Sequence, residues 1–363
     1  MERQGLEQEQ IKFIAVSLLI LISFLGAIGN LLVLKAIFSL RKRKLHEYLI
    51  LNLATADAGT CLVSIPLDIA EQLIGRFPFG AALCRVIYPL QSVLVYVSVL
   101  TLLFMSVERY RLIVTPMKSR IRVKTGMIAI VVMWILSCLI VLPFALALTF
   151  TGTECSEEWS HTYSGQVFTL AIFAFLFVIP LFLMTIFYAF MIRVLYKDSK
   201  AVKRGSRFSL SQASIDQRLH RNVKIVKVFA LAVVTFALCM LPTHITWLWH
   251  DFGQGSSRPE LFSRVLTFSN VFMYANSLID PFIFGSIDVK TLAKRFRVLV
   301  CCRSGGQESR RSFEHVFSLR IRTPSTSRQF AHGTIFRSLF KTSELSQRNI
   351  NTQNAKVNSV VEI

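Results

Sequence analysis

Charged residues are scarce in this chain: Asp, Glu, Lys and Arg make up 17% of its 363 residues, whereas 53% are hydrophobic. A soluble domain has about a quarter of its residues charged. The mean hydropathy of +0.52 is also too high for a water-soluble fold. The surplus of apolar side chains must therefore face lipid, which excludes a soluble enzyme, a collagen, a disulfide-rich mini-protein and a disordered regulator.

Charge is almost absent from seven apolar runs, each as long as the roughly 20 residues that a helix needs to cross a bilayer. Only Asp57 and Asp280 are formally charged within them. The sequence therefore predicts an all-α membrane protein with a short extracellular N-terminus at 1–12 and a seven-transmembrane helix bundle at 13–287. The seven runs are Phe13–Leu34, Tyr48–Leu67, Val86–Val107, Gly126–Leu148, Val167–Ile192, Val228–His250 and Val265–Ile287.

A secretory signal peptide is not indicated at the start of the chain. The residues before the first run include Glu2, Glu7 and Glu9 instead of the basic stretch of a signal peptide. The run itself is too long for the apolar part of such a peptide. We expect it to stay in the protein as a transmembrane helix.

Basic residues are few on one side of the membrane and abundant on the other. The connections 35–47, 108–125 and 193–227, together with the chain from 285 onward, contain most of the 41 Lys and Arg residues. The positive-inside rule places these segments in the cytoplasm and the N-terminus outside. The net charge of +20 then reflects membrane topology, and we do not expect the protein to bind nucleic acid.

The chain changes character after the seventh run. Residues 288–302 alternate apolar and basic side chains at helical spacing, which predicts a short amphipathic helix in contact with membrane lipids on the cytoplasmic side. Cys301 and Cys302 end this segment and are placed for reversible S-acylation, although two unmodified cytosolic thiols are the alternative. Residues 303–363 are rich in Ser, Thr and Arg without an apolar period, which predicts a disordered, phosphorylatable cytoplasmic tail.

Cysteine is also scarce on the outer side. Of seven cysteines, only Cys84 and Cys155 fall in the outward loops, where the environment is oxidising. A disulfide between them would tether the loop that follows the fourth helix over the mouth of the bundle. The three cysteines within helices are expected to pack in the interior.

A charged triplet, Glu108-Arg109-Tyr110, ends the third helix. Arg109 follows Cys84 by 25 residues, or roughly 37 Å of helix. The triplet therefore lies at the cytoplasmic face, opposite the outward cysteine.

With this pattern in place, the chain resembles the rhodopsin-like (class A) G-protein-coupled receptors over about residues 11–302. The resemblance implies a multi-pass receptor of the plasma membrane that has no catalytic activity and signals through heterotrimeric G proteins. Receptor kinases and arrestin are the expected partners of the tail. The matching residues, in chain order, are Gly29-Asn30, Leu53-Ala54-Thr55-Ala56-Asp57, Cys84, Glu108-Arg109-Tyr110, Pro116-Met117, Trp134, Pro180, Tyr188, Phe236, Cys239, Pro242, Asn276-Ser277 and Asp280-Pro281.

The two membrane carboxylates have a role in this resemblance. A charged group at the bilayer centre costs about 2.5–3.5 kcal/mol on insertion scales, so it is usually partnered and functional. The resemblance implies a sodium ion as the only bound cofactor, in an oxygen-rich pocket that suits a hard cation. A protonated hydrogen-bond network without an ion is the alternative. The residues of this pocket are Asp57, Ser98, Asn276, Ser277 and Asp280.

Three prolines within the apolar runs each remove a helical hydrogen bond and mark kinks. By resemblance, Pro242 and Pro281 belong to hinges through which helix six swings outward. Pro180, Val99 and Phe236 match the family's packing relay below the ligand pocket.

The G-protein contact is implied at the cytoplasmic face. Arg109 and Tyr188 would rearrange there to receive a helix of the G protein, with Met117 packing against it. Glu108 and Tyr110 flank the arginine in the same motif.

Three positions depart from the family pattern. Met240 stands where a switch tryptophan is usual, and Phe284 stands where a tyrosine hydroxyl usually bridges through water toward Tyr188. Asn222, at the base of helix six, replaces an acid that in some members pairs with the arginine of helix three. These substitutions bear on how the inactive state is held.

The sequence excludes two ligand classes of this family. Amine receptors have Asp seven residues after the helix-three cysteine, where this chain has Gln91. Opsins need a retinal-linking Lys in helix seven, where this chain has Tyr274. A peptide ligand fits better, with a lipid or another small molecule as the alternative and a transporter as a more distant one.

The peptide interpretation depends on a resemblance to neuropeptide receptors of the neuropeptide Y, orexin and RFamide type. Gln91 and His244 match positions that those receptors use, and Asp251 stands where they have an acid facing a ligand arginine. Acidic residues on the outer side would attract a basic peptide. The predicted ligand-binding residues are Gln91, His244, Asp251, Tyr274, Asp68 and Glu157.

Overall fold

The computed structural model describes residues 2–116, 120–161, 163–204 and 210–285. Several predicted features lie outside these residues: Met117, the acylation cysteines Cys301 and Cys302, the amphipathic helix at 288–302 and the tail at 303–363.

Seven helical rods follow one another along the described chain. Five of the seven apolar runs lie wholly within one rod, and most rods extend past the run by several residues, because the helix continues beyond the hydrocarbon layer. The fourth run, Gly126–Leu148, ends one residue past its rod, and the seventh run, Val265–Ile287, ends outside the described residues. The rods are α1 (Glu2–Phe38), α2 (Leu45–Gly59 continued through Thr60–Ser64 and Ile65–Ile74), α3 (Gly80–Ile113), α4 (Val123–Ala147), α5 (Ser164–Ile172 continued through Phe173–Val178 and Ile179–Arg204), α6 (Leu210–Phe252) and α7 (Pro259–Gly285).

The outer faces of the helices are apolar, as a lipid-facing surface requires. Leu146 of α4 is 75% exposed and Phe175 of α5 is 66% exposed. Six rods, α1 to α6, are long and apolar enough to cross a membrane. The remaining rod, α7, packs between α1 and α6 and has charged residues near its start.

Two rods contain a π-helical turn, which the apolar pattern did not predict. Thr60–Ser64 interrupts α2 and Phe173–Val178 interrupts α5. Each turn is followed closely by a proline, Pro66 or Pro180, whose missing N–H cannot complete the α-helical ladder. A π turn takes in an extra residue, so the residues after it face a different direction from the one an uninterrupted helix would give.

A short hairpin covers one end of the bundle. Strands β1 (Leu148–Phe150) and β2 (Cys155–Glu157) pair antiparallel, with Phe150 opposite Cys155. The predicted disulfide joins Cys84 at the start of α3 to Cys155, with the two Cα atoms 5.7 Å apart. We call this end of the bundle the disulfide end.

Close contacts between rods are made by small and polar residues. A Cβ at Gly126 of α4 would collide with the Cδ1 of Leu45 in α2, so a larger residue there would force the Leu45 side chain to move. Asn30 of α1 donates one hydrogen bond to the carbonyl of Ser277 in α7, at 2.8 Å. Asn52 of α2 donates to the Thr101 hydroxyl of α3 at 2.8 Å and accepts from the Trp134 indole of α4 at 2.9 Å.

Candidate functional site

A cavity of about 660 Å³ opens at the disulfide end, between the helices and under the hairpin. Residues of six rods, α2 to α7, line it, together with the hairpin. Five of the six predicted ligand-binding residues are among them: Gln91, His244, Tyr274, Asp68 and Glu157. The size fits a drug-sized ligand or the end of a peptide.

One wall of the cavity is acidic and is built from α2, α3 and α7. Asp68 accepts a hydrogen bond from the Gln91 amide at 2.7 Å and another from the Tyr274 hydroxyl. Gln91 reaches this position because its amide also contacts the Ser64 carbonyl in the π turn of α2, at 3.3 Å. Three predicted ligand-binding residues thus form one hydrogen-bonded group.

Glu71 extends the acidic wall by one helical turn. The Tyr88 hydroxyl lies 2.7 Å from each of its two carboxylate oxygens. Tyr88 was not among the predicted site residues, although it precedes Gln91 by one turn on the same face of α3. This one-turn spacing from Gln91 could have predicted Tyr88 as a site residue.

The opposite wall is aromatic and is built from α5 and α6. The His244 ring lies 4.8 Å from the Phe177 ring and 5.7 Å from the Phe173 ring, measured between centroids. Phe236 and Met240, both almost fully buried, lie on the same helix and also line the cavity. This wall can receive an aromatic or aliphatic group.

Asp251 is not among the residues that line the cavity. Its Oδ1 lies 2.7 Å from His250 Nδ1, and its Oδ2 accepts from the Thr169 hydroxyl at 2.5 Å. Its backbone carbonyl accepts from the Gln166 amide at 2.8 Å. Asp251 therefore joins the disulfide ends of α5 and α6.

Glu157, on β2, has its carboxylate 2.8 Å from the Trp159 indole N–H, which donates to it. Burial raises the pKa of Glu157 above its ordinary value, and this indole hydrogen bond opposes the shift. The negative charge of Asp251 raises the pKa further. Acid groups of the hairpin and of α6 are thus close enough to influence one another.

The predicted sodium residues meet in the centre of the bundle, and all five are buried. Asp57 Oδ1 accepts from the Ser277 hydroxyl at 2.9 Å and from the Ser98 hydroxyl at 3.4 Å. The Asn276 amide donates to Asp280 Oδ2 at 3.3 Å. Within the described residues, no hydroxyl or amide donates to three buried oxygens of this group: Asp57 Oδ2, Asn276 Oδ1 and Asp280 Oδ1. Buried oxygens of this type fit the coordination of a hard cation.

The far end of α3 has a different arrangement around Arg109. Its guanidinium contacts the carboxylate of its neighbour Glu108 at 3.3 Å and lies 5.1 Å from the ring centroid of Phe229 in α6. Phe229 packs edge-on against Phe284 of α7, with centroids 5.4 Å apart. Tyr188 accepts a hydrogen bond from the Ser106 hydroxyl at 3.2 Å.

The aromatic contact of Arg109 was not predicted from the sequence. Asn222 indicated only that α6 has no acidic residue at the position where some family members pair one with the arginine of α3. Nothing in the spacing of Phe229 pointed to the arginine. Tyr110 of the same motif faces Phe187 of α5, with centroids 5.1 Å apart.

The predicted relay residues lie between these two ends. Val99 and Phe236 are almost fully buried and both line the bottom of the cavity, where Phe236 is 6.1 Å from the Phe177 ring. Pro180 follows the π turn of α5, whereas Pro242 and Pro281 lie inside α6 and α7.

Comparison with known proteins agrees with this architecture. The family model described as "7 transmembrane receptor (rhodopsin family)" matches residues 29–284. The chain is 27% identical over 302 residues to neuropeptide FF receptor 2 of Rattus norvegicus, covering 77% of this chain and 71% of the relative. It is 26% identical over 311 residues to neuropeptide FF receptor 2 of Mus musculus, covering 77% and 71%.

A human relative gives a similar result. The chain is 28% identical over 311 residues to neuropeptide FF receptor 1 of Homo sapiens, covering 79% of this chain and 70% of the relative. The family model spans most of the chain and includes the cavity, the polar centre and the Arg109 region. This chain therefore belongs to the rhodopsin family of seven-transmembrane receptors.

Proposed function

We propose that a neuropeptide activates this chain at the cavity and that the signal passes to heterotrimeric G proteins. The chain is a multi-pass receptor of the plasma membrane, as its family is, and not an enzyme. The observation that carries the peptide assignment is the cavity itself, whose lining at the disulfide end combines acidic residues of α2 with aromatic residues of α5 and α6. The printed names of its relatives, neuropeptide FF receptors, point to the same ligand class.

The charge of the cavity favours a basic peptide. Its lining includes the carboxylates of Asp68, Glu71, Glu154 and Glu157, against one basic residue, Arg76. Arg76 is exposed at the rim. An excess of negative charge in a cleft raises the local concentration of cationic ligands and speeds their association.

The same geometry supports an orientation in the membrane and a route for the signal. Disulfides persist in oxidising surroundings, which supports an extracellular position for the disulfide end. A ligand that contacts Met240 and Phe236 acts directly on α6, the helix that also places Phe229 over Arg109. Binding would then shift the bundle between two states by favouring the one in which α6 has moved outward.

A sodium ion in the polar centre is part of the proposal. Asp57, Ser98, Asn276, Ser277 and Asp280 would hold it through carboxylate, hydroxyl and amide oxygens. The ion would add a positive charge between two buried carboxylates and so stabilise the state in which they are close together. Receptor kinases and arrestin are proposed partners of the tail.

The experiment is G-protein activation in cells that express the chain at a measured surface density. Separate pools contain amidated peptides ending in Arg-Phe, other peptides, amines and lipids. We expect a response to the Arg-Phe pool, lost when His244 is replaced by alanine at unchanged surface density. Activation by the lipid pool alone would keep the receptor class and refute the peptide ligand.

A transporter or channel would give no response to any pool and no effect of guanine nucleotide on ligand binding. Nucleotide sensitivity therefore separates a receptor from these classes.

A further inference from the structure

We propose that Asp68 and Glu71 form the subsite for the cationic group of the ligand, and that Asp251 instead holds α5 and α6 together. This inference rests on the proposed function, because it assigns positions to two groups of the same ligand. It also reverses the expectation from sequence, in which Asp251 is the partner of a ligand arginine.

The cavity makes the two carboxylates accessible to a ligand. Asp68 and Glu71 lie three residues apart on α2, so their side chains project from the same face of the helix. Both belong to the lining of the 660 Å³ cavity, whereas Asp251 does not. A ligand inside the cavity can therefore reach the first two carboxylates.

The partners of these carboxylates leave their charge unbalanced. Asp68 accepts from an amide and a phenol, and Glu71 accepts from the phenol of Tyr88. These donors are neutral, so they fix the direction of each carboxylate without cancelling its charge. Within the described residues, neither carboxylate forms an ion pair with Lys, Arg or His.

Asp251 differs in this respect. Its Oδ1 is 2.7 Å from His250 Nδ1, a group that becomes a cation on protonation. Its other oxygen and its carbonyl accept from Thr169 and Gln166 of α5. The side chain is thus used for a contact between two helices.

The chemistry of the subsite selects a guanidinium or ammonium group. Each carboxylate oxygen still has acceptor capacity, and a guanidinium offers five N–H donors in a planar fork that can engage both acids. The opposite wall, with His244, Phe236 and Met240, is suited to an aromatic group. The ligand class is therefore a compact peptide end with a cationic and an aromatic side chain close together.

A thiol-reaction assay tests the subsite without an agonist. Asn270 lines the cavity and precedes Tyr274 by one turn of α7, so the variant Asn270→Cys places a reporter thiol beside the subsite. The exposed Cys138 is replaced by alanine in all samples. Two membrane-impermeant methanethiosulfonates serve as probes: the trimethylammonium-ethyl cation and the sulfonato-ethyl anion.

The measured quantity is the ratio of the cation rate to the anion rate, divided by the same ratio for free 2-mercaptoethanol. We expect a ratio well above one that falls at least about fivefold in Asp68→Asn with Glu71→Gln. The single variant Glu71→Gln, which keeps an oxygen to accept from Tyr88, should show part of this fall. Asp251→Asn is the matched control and should change the ratio by less than about twofold.

A second arm uses amidated peptides ending in Arg-Phe and their citrulline-Phe analogues, which keep the shape of arginine without its charge. Replacing the arginine of the peptide by citrulline should lower the potency of the peptide on the parent and on Asp251→Asn. On Asp68→Asn, the same replacement should have little further effect. An unchanged rate ratio in the double variant, or an equal fall in Asp251→Asn, would overturn the subsite. If the rate ratio falls as expected but neither peptide activates the receptor, the result counts against the proposed peptide ligand and not against the subsite.

Discussion

Replacing Phe229 by leucine is expected to raise signalling in the absence of ligand. The Arg109 guanidinium lies 5.1 Å from the Phe229 ring, and Phe229 is only 1% exposed. In the proposed activation, α6 moves outward and carries this ring away from the arginine, so we expect the contact to stabilise the inactive state alone. A buried cation–π contact contributes about 0.5–2 kcal/mol.

The size of the effect follows from these numbers. Loss of about 1.4 kcal/mol from the inactive state changes the equilibrium about tenfold. A receptor with about 1% of its molecules active at rest would then have about 10% active. The edge-on contact between Phe229 and Phe284, with centroids 5.4 Å apart, adds to the loss in the same direction.

The assay is ligand-free guanine-nucleotide exchange at matched surface density. Phe229→Tyr keeps the aromatic ring over Arg109 and should stay near the parent level. Phe187→Leu removes a ring that packs on Tyr110 instead, and it controls for loss of an aromatic side chain in the same region. Equal activity of Phe229→Leu and the parent would show that the Phe229 ring does not hold Arg109 in the inactive state, as would equal activation by Phe229→Tyr.

Three further predictions concern the interior of the bundle. Trp134→Phe leaves the buried Asn52 oxygen without the indole N–H that donates to it at 2.9 Å. We expect this loss to cost about 1–3 kcal/mol of folding free energy and to lower the thermal midpoint of the purified receptor. An unchanged midpoint would show that the hydrogen bond does not contribute to stability. Met240 lines the cavity and is only 5% exposed, so Met240→Trp places a larger side chain in a packed wall. We expect dose–response curves to show agonist potency lowered about tenfold and basal signalling altered. Full potency with parental basal activity would contradict this. Replacing sodium in the buffer by N-methylglucamine should raise agonist affinity, measured by radioligand binding, about fivefold in the parent but not in Asp57→Asn. A sodium effect that persists in Asp57→Asn would show that the ion does not bind in this pocket.

The parts of the fold that depend on local pattern could be predicted from the sequence. Seven apolar runs predicted seven rods, and the two outward cysteines predicted the disulfide between Cys84 and Cys155. The ends of the helices could not be predicted as well, because hydropathy indicates where the hydrocarbon layer stops and not where helical hydrogen bonding ends. The rod α3 accordingly runs from Gly80 to Ile113, beyond both ends of its apolar run.

The sequence predicted candidate members of the site, five of which line the cavity, but it did not predict their pairings. Gln91, Asp68 and Tyr274 were predicted as ligand contacts, but their mutual hydrogen bonds join three different helices. The Gln91 amide also contacts the Ser64 carbonyl in the π turn of α2, a turn that hydropathy does not report. Asp251 sits on α6 at the expected level. Its partner Thr169 comes from α5, so only the packing of the two helices reveals that the carboxylate is already engaged.

Occupation of the cavity is proposed to drive nucleotide exchange on a G protein. To test this, the purified chain is placed in lipid nanodiscs with a mixture of heterotrimeric G proteins, and GTP loading is recorded with and without an amidated Arg-Phe peptide. We expect peptide-dependent loading that disappears when Asp68 and Glu71 are both neutralised. Peptide-independent loading of the same size, or no loading by a correctly folded receptor with bound peptide, would show that the cavity does not control exchange.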